Sequence, residues 1–482
     1  MKQTALKLWN IYLERIESGT GLKVLHIPTD EVRVCATIEN PAEIQLENLA
    51  LCFAIFFAAT AILEPAEAQA LLDEDSVTRQ FKFKTGLEQA LAEAEVLENP
   101  TLTLLNAMAI YLSSLRIYNR NKGIWILNGL AMRIAQSMGL HRDGEHLGLS
   151  PFQSELRRRI WWHFLGRDSH AAEDHGLQRL CNLRSDAELP LNVDDADLYP
   201  EMEALPTPRP GLTTMTFPLI NYHIARAVHR LAGIVAASIP STPPQESVRM
   251  QIIDEIRVQI EQWLKNCNPV IPRHRLALLA SRLALRKTDL ISRQQWLALH
   301  HLDSRETFAT EENLIEALEV LELGLQMWDD EMLKPYSWLW KANPEYHVTM
   351  FLLWHLCMKP EGPNTDRAWN VVERLFSLRD SIEEGLGSRA AVLAALKGKA
   401  ETIRESTRRS GSVANEVPGQ GTNHMITPSE DHFKTVDSWG CLQRSSKGNE
   451  NDWSRDPNEM PDWGPLVEGF HLGGQDFPGI LW

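Results

Sequence analysis

Clustered cysteine is the first thing this chain of 482 residues lacks. Its six cysteines, Cys35, Cys52, Cys181, Cys267, Cys357 and Cys441, lie tens of residues apart and form no C-x-x-C pair. A zinc site needs ligands close enough to complete a tetrahedron without long loops, so a sequence-local metal site is excluded. Scattered, unpaired thiols in a large acidic chain suit a reducing compartment, cytosol or nucleus. A basic surplus is also missing. The formal net charge of -16 opposes broad electrostatic attraction to nucleic acid and argues against a basic DNA-binding surface. No run is long enough for a bilayer: Asn48 to Leu63 falls short of the roughly 20 residues required, and Glu47 and Glu64 bracket it. It starts too far from Met1 to be a signal peptide and reads as a buried core helix. Strand-like alternation is absent, as are G-x-G-x-x-G, G-x-S-x-G and any Ser-His-Asp or Cys-His arrangement. No catalytic residue, cofactor site or metal ligand is assigned, and the chain is read as not an enzyme.

What is present is helical periodicity. Leu127, Leu130, Ala131, Ile134, Ala135 and Met138 form one apolar stripe, and Gly139 supplies a left-handed stop. Ser150-Pro151-Phe152-Gln153 reads as a helix start: Ser150 caps, Pro151 suits the first turn and Gln153 completes a capping box. The helix that follows is expected to run past Asp168 to about Gly176, with Leu156, Ile160 and Phe164 on one face. A polar connector, Leu189 to Asp195, comes next. Pro200, Pro206, Pro208 and Pro210 then mark a linker between two helical sub-domains. Beyond it, Val248, Ile252, Ile256, Ile260, Trp263 and Leu264 repeat one stripe, Leu276, Leu279, Leu283 and Leu290 a second, and Leu314, Leu318, Leu321, Leu325 and Trp328 a third. From about Ser406 aliphatic spacing vanishes and the chain cannot bury enough surface to offset ordering entropy. The expectation is an all-α fold: a large multi-helix body in two packed sub-domains, residues 1–205 and 206–405, then a disordered acidic-aromatic tail, 406–482. In that tail Trp453, Trp463, Phe470, Phe477 and Trp482 sit among carboxylates, the logic of an activation segment that keeps hydrophobic anchors exposed for a partner's groove; the plain alternative is a solvated tail.

Several residue groups invite chemistry and lose to simpler readings. His141-Arg142-Asp143 has the letters of a kinase catalytic loop, but no glycine-rich phosphate loop precedes it and no D-F-G follows. It reads better as a polar turn whose Arg142 and Asp143 pair with charges on the next helix. His163, His170, Asp174 and His175 on one predicted helix invite a metal, yet seven residues of helix separate His163 from His170 by about 10 Å, too far to share an ion. Asp194, Asp195 and Asp197 resemble the magnesium-binding aspartates of all-α terpene synthases, but they follow Pro190 in a connector, where carboxylates more often cap a turn. Arg157, Arg158 and Arg159 cannot form one phosphate-binding face, because consecutive helical residues diverge by about 100°. Glu155 is placed to pair with Arg158 or Arg159 at i+3 or i+4, leaving Arg157 for another helix. Trp161 and Trp162 are expected to fill the core.

These residues, in this order, closely resemble the middle homology region of fungal-specific transcription factors of the binuclear zinc-cluster class. The resemblance rests on Ala131, Arg133, Ala135, the Gly139 to Asp143 run containing His141, Arg142 and Asp143, then Glu155, Arg157, Arg158, Arg159, Trp161, Trp162 and Asp168, and then Leu189, Pro190, Asp194 and Asp195. Weaker similarity extends from the H-I-P-T run at His26 to Thr29 through to about Arg404. The resemblance implies an all-α regulatory body in which those residues are structural, acting in the nucleus and controlling genes of the secondary-metabolite type. Family members normally begin with a lysine- and arginine-rich six-cysteine cluster, and here the similarity starts almost at Met1. The expected partners are therefore promoter DNA, reached indirectly or through a missing zinc cluster, a second copy or a zinc-cluster heterodimer, the transcription machinery through the acidic tail, and a small-molecule inducer, with no membrane. An all-α enzyme with a cryptic metal or terpenoid site is the alternative; it requires Asp194, Asp195 and Asp197, or His163 and His170, around one deep cavity.

Overall fold

The computed structural model describes residues 2–17, 20–72, 76–117, 122–175, 185–238, 244–300, 308–380 and 387–413. Cys181, Cys441 and the tail aromatics Trp453, Trp463, Phe470, Phe477 and Trp482 lie outside the described residues. Within them every regular element is a helix and no strand occurs.

The first layer is built around α3, Leu46–Ala61, with α1 (Lys2–Tyr12), α2 (Ile27–Glu39), α4 (Pro65–Leu72), α5 (Ser76–Glu93) and α6 (Leu102–Leu115) about it. The apolar run that falls short of a membrane span is α3: Ala50 to Ala61 is buried almost without interruption. Alanine makes up much of that stretch, so neighbouring helices approach closely, and an added Cβ at Gly86 of α5 would stand 2.9 Å from the Phe53 ring. Among the described residues no helix is long and apolar enough to cross a membrane. Thr101 caps α6 by accepting from the Leu104 N–H at 3.2 Å.

Two helices carry the motif region, α7 (Lys122–Ser137) and α8 (Pro151–His175). Gly139 takes φ +73° after α7, the left-handed conformation that ends a helix at least cost with glycine. Ser150 accepts from the Gln153 N–H at 3.3 Å and so caps α8. Ile160 and Phe164 of α8 enter the main core, whereas Leu156 packs with Phe152, Val193, Leu198 and Met202 in a small satellite cluster.

After a proline-rich segment come α9 (Thr216–Ala237), α10 (Glu246–Leu264) and α11 (Pro272–His300). The segment is stitched down rather than hanging free. Buried Asn192 donates to the carbonyls of Arg209 and Gly211 at 2.7 and 2.8 Å and accepts from the hydroxyls of Thr213 and Thr216 at 2.9 and 2.8 Å. One apolar cluster joins α9, α10 and α11 through Ile220, Ile224, Ile252, Ile256, Ile260 and Trp296. Another joins α12 (Glu311–Asp329), α14 (Tyr346–Met358), α15 (Thr365–Asp380) and α16 (Gly387–Val413) through Leu314, Leu318, Phe351, Leu352, Trp369 and Leu393. The short helix α13, Trp338–Ala342, returns to the first layer: Trp338 and Ala342 belong to the main core, the Trp338 indole donates to the Arg15 carbonyl at 3.1 Å, and Arg116 donates to the Ala342 carbonyl at 2.9 Å. Helix α16 continues to Val413, beyond the point near Ser406 where aliphatic spacing stops. Local backbone bonding of hydroxyls, as of Thr407 to the Ile403 carbonyl at 3.0 Å, accompanies that extension.

Candidate regulatory site

The three arginines of α8 leave the helix in three directions and serve three partners. Arg157 donates to the Met138 carbonyl at 2.7 Å, satisfying a carbonyl at the open end of α7, where a cation also complements the helix dipole. Arg158 grips Asp143 with a two-pronged pair, 2.8 and 2.7 Å, and adds Glu145 at 3.0 Å. Arg159 is fully buried; it reaches Asp195 at 2.7 Å and Glu155, one turn back on its own helix, at 3.4 Å.

Asp143 organises the turn between α7 and α8. Besides Arg158 it accepts the Glu188 N–H at 2.9 Å and the Glu145 N–H at 3.1 Å. Burial alone would raise its pKa, but the Arg158 guanidinium and those two amides outweigh that and hold it below the usual value. Arg142 does not turn toward α8. It pairs instead with Asp186 at 3.0 Å, a residue that also accepts the Asp143 N–H at 2.8 Å and faces His146. The physical reason is that Asp143 occupies the inward side of the turn, leaving Arg142 on its exposed side. Gly144 is required by space: an added Cβ would lie 2.4 Å from Ser154 Oγ and 2.7 Å from the Ser154 Cα.

Asp195 closes a second, more deeply buried network. Its Oδ1 takes Arg159, and its Oδ2 takes Lys23 Nζ at 2.6 Å and the Ile27 N–H at 2.9 Å. Lys23, also buried, continues to Glu17 at 2.5 Å and to the Leu25 carbonyl at 3.1 Å, and Glu17 accepts the Tyr12 hydroxyl at 3.0 Å. Burial opposes ionisation of Asp195, but Arg159 and Lys23 prevail and hold its pKa well below the ordinary carboxylate range. Glu155 behaves oppositely: fully buried, with Arg159 at 3.4 Å and the Leu191 N–H at 3.2 Å as its contacts, it is pushed up to about 7 by desolvation. His26 completes the junction, its Nε2 lying 3.0 Å from the Asp195 carbonyl and its ring edge-on to Phe152 at 4.9 Å. Buried ion pairs of this kind add little net stability but fix how elements cross. Their chemistry is consumed in holding Glu17, residues 20–27, α8 and the connector 185–198 together.

The remaining motif residues are packed. His141 lies 6.1 Å from the Trp161 ring, Trp161 is fully buried, and Trp162 donates to the Glu188 carbonyl at 2.8 Å. Asp168 is buried farther along α8. Asp194 and Asp197 form a reciprocal cap on a single 3-10 turn, Asp195–Asp197, and both pair with Arg209, at 2.9 and 2.5 Å. His163 is buried, lies 3.2 Å from the Ser113 hydroxyl, and is kept neutral by burial, which drives its pKa well below the ordinary value. His170 faces a different space. Neither the three aspartates nor the two histidines surround one cavity, so the geometry required by the enzyme alternative does not arise, and among the described residues no group of three or more His, Cys, Asp or Glu could hold a metal ion.

The space that His170 faces is a cavity of about 310 Å³. The far half of α8 contributes Arg167, Ser169 and His170; α9 and α11 contribute apolar rows; Leu321, Leu325 and Trp328 of α12 and the segment after α13 close the other side. Sequence reasoning did not find this cavity, nor Lys23 and Glu17. The stripe on α11 was visible, but a stripe does not reveal whether its partner surface touches it or stands off.

Residues 37–265 match the family described as the fungal specific transcription factor domain. Among similar proteins, the pyriculol/pyriculariol biosynthesis cluster transcription factor 1 of Pyricularia oryzae is 29% identical over 463 residues, covering 92% of this chain and 61% of that protein. The aurofusarin cluster transcription factor aurR2 of Gibberella zeae is 28% identical over 378 residues, covering 77% and 56%. The transcriptional regulator AacuB of Aspergillus aculeatus is 26% identical over 383 residues, covering 77% and 51%. The chain thus spans between about half and three fifths of the length of these relatives.

Proposed function

We propose that this chain is the control body of a nuclear transcriptional regulator of a secondary-metabolite biosynthetic gene cluster. One observation carries the reading: the family segment contains the motif charges from Asp143 to Asp195 that are spent on architecture, and the relatives aligned along most of the chain bear the names of cluster regulators. A net charge of -16 favours a DNA reader supplied by a zinc-cluster module, in a partner or in the same factor, over contact through the helical body. The tail aromatics Trp453, Trp463, Phe470, Phe477 and Trp482 supply the contact to the transcription machinery. The motif residues from Gly139 to Asp168 position α8 and touch no reactant, and residues 1–205 and 206–405 act as two packed sub-domains of one regulatory body.

Deleting the gene and measuring transcripts of neighbouring biosynthetic genes tests the central claim. The expected result is a change across a contiguous set of genes; unchanged transcripts remove the reading. Chromatin immunoprecipitation with and without zinc-cluster partners separates direct from partner-borne promoter contact. Fusion of residues 449–482 to a heterologous DNA-binding domain is expected to activate a reporter, and an inert fusion would strip the tail of its assigned role.

A further inference from the structure

We propose that Thr207 is a phosphorylation site for a proline-directed kinase, and that the phosphate draws Arg209 away from the turn that carries Asp195. The modification does not rest on the regulator reading; only its consequence for transcription does. Thr207 lies in the run Leu205-Pro206-Thr207-Pro208-Arg209-Pro210, in which 205–209 have no regular secondary structure and 207–210 are exposed. Prolines at alternate positions keep the run out of a helix, and Thr207 and Arg209, each preceding a proline, are restricted to extended backbone. A kinase takes its substrate as an extended segment laid across its cleft, and this loop already has that shape. Among the described residues no hydrogen bond engages the Thr207 side chain. Ser150-Pro151, the other described pair of a hydroxyl residue and proline, is the contrast: Ser150 accepts from the Gln153 N–H at 3.3 Å, and the chain passes directly into α8.

Arg209 is the residue a phosphate there meets. Its backbone is clamped on both sides by Asn192: the Arg209 N–H donates to the Asn192 carbonyl at 2.9 Å, and the Arg209 carbonyl accepts the Asn192 side-chain amide at 2.7 Å. Its side chain is half exposed and bridges Asp194 at 2.9 Å and Asp197 at 2.5 Å. Two extended residues span about 7 Å, a distance an arginine stem covers, so the guanidinium reaches Thr207 by side-chain rotation with the backbone held. A phosphate carries about −1.5 to −2 charges and three acceptor oxygens, and takes a guanidinium with two parallel bonds. Each aspartate offers a single charge and a single bond. The competition favours the phosphate, and the half-exposed pairs it replaces are of the weak kind.

The step transfers the γ-phosphoryl group of ATP. A bond forms between Thr207 Oγ1 and phosphorus, the bond from that phosphorus to the bridging oxygen breaks, ADP leaves, and the hydroxyl proton passes to the kinase's base. The consequence comes from position. Asp194 and Asp197 cap each other across the 3-10 turn, and Asp194 also accepts the Thr214 N–H at 2.9 Å. Without Arg209 the two carboxylates face each other beside a phosphate, and the turn loosens. The same turn holds Asp195 against Arg159 at 2.7 Å and Lys23 at 2.6 Å. A charge added on the surface is therefore felt at the buried junction of residues 20–27 with α8.

The test incubates the full chain with a purified mitogen-activated protein kinase and Mg-ATP, reads the modified residues by peptide mass spectrometry, and follows the turn by amide hydrogen exchange. Phosphate on Thr207 and none on Ser150 is expected, with none at position 207 in Thr207→Val. In the modified chain the Asp194, Asp197 and Thr214 amides should exchange about fivefold faster. Arg209→Met should show that faster exchange without phosphate, and should still accept phosphate with no further increase. A Thr207 left unmodified in the folded chain overturns the site, whether or not a peptide of residues 200–214 is phosphorylated. Unchanged exchange in the modified parent overturns the coupling to the turn, and an equal increase on phosphorylation of Arg209→Met overturns the part assigned to Arg209. Transcripts in the deletion strain report on the regulator reading independently, so the two fail separately.

Discussion

The two halves of α8 teach different lessons. Its first half, Glu155 to Arg159, is surrounded by charge at short range: every arginine there has a specific acceptor, and the acceptors lie on two separate segments of chain, the α7–α8 turn and the connector 185–198. In its second half Arg167, Ser169 and His170 border a cavity whose walls are mostly aliphatic. Directional pairs tolerate only one geometry, whereas apolar walls accept many at similar cost. One helix therefore combines a fixed mount with an adaptable surface, and substitutions at its two ends should behave differently.

The largest effect is expected at the mount. Arg159→Met leaves Asp195 with Lys23 and the Ile27 N–H and Glu155 with one amide, and should lower unfolding free energy by about 3 kcal/mol, the lower end for breaking a buried pair because Glu155 can take up a proton. Denaturant midpoints measure it. A loss near zero would place the network among weak surface pairs and erase the contrast.

The pH dependence sharpens the same point. Asp143 and Asp195 have folded pKa values below their ordinary 3.8, so they contribute stability that is present above that value and lost as pH falls through the folded values. Glu155 has the opposite sign: its folded pKa of about 7 lies above the ordinary 4.5, the folded state holds a proton that the unfolded chain releases, and stability declines as pH rises between those values. Glu155→Gln should flatten that decline while leaving the acid limb intact. A variant whose profile between pH 4.5 and 7 overlays the parent would contradict the raised value.

Gly144→Ala is expected to cost about 2 kcal/mol by overpacking, because its Cβ would meet the Ser154 backbone. Ser154→Ala should not rescue it, since the Ser154 Cα is as much in the way as the hydroxyl. The smallest effect belongs to the cavity wall: Leu283→Ala should cost about 1 kcal/mol, against about 2–5 kcal/mol for a leucine in a filled core such as Leu105→Ala. The difference follows from missing contact partners on the open side. Equal losses at the two leucines would mean that the wall is packed as tightly as the core.

How far all this was legible depends on range along the chain. The helical class, the stop at Gly139, the cap at Ser150 and the buried nature of α3 follow from local spacing and turn chemistry, and each involves residues within a few positions of one another. The pairing of Glu155 with Arg159 is equally local. Lys23 and Asp195 are 172 positions apart, and neither carries a pattern that points to the other. The aspartate run was legible as a capping turn for Asp194 and Asp197 but not for Asp195, whose side chain turns inward because the turn places it opposite Lys23 and Arg159. Arg142 was expected on the next helix and found Asp186, since a sequence does not reveal which side of a tight turn will be exposed.

The boundaries of the matched family segment, 37 and 265, cut across what physically coheres. Lys23, which neutralises Asp195, lies upstream of the segment, and Trp338, which seals the first layer, lies downstream. Excising 37–265 would strand an anion in the interior and open a hole the width of an indole, so the excised piece should melt gradually rather than in one step. For this molecule the segment that the family description matches is smaller than the unit that folds.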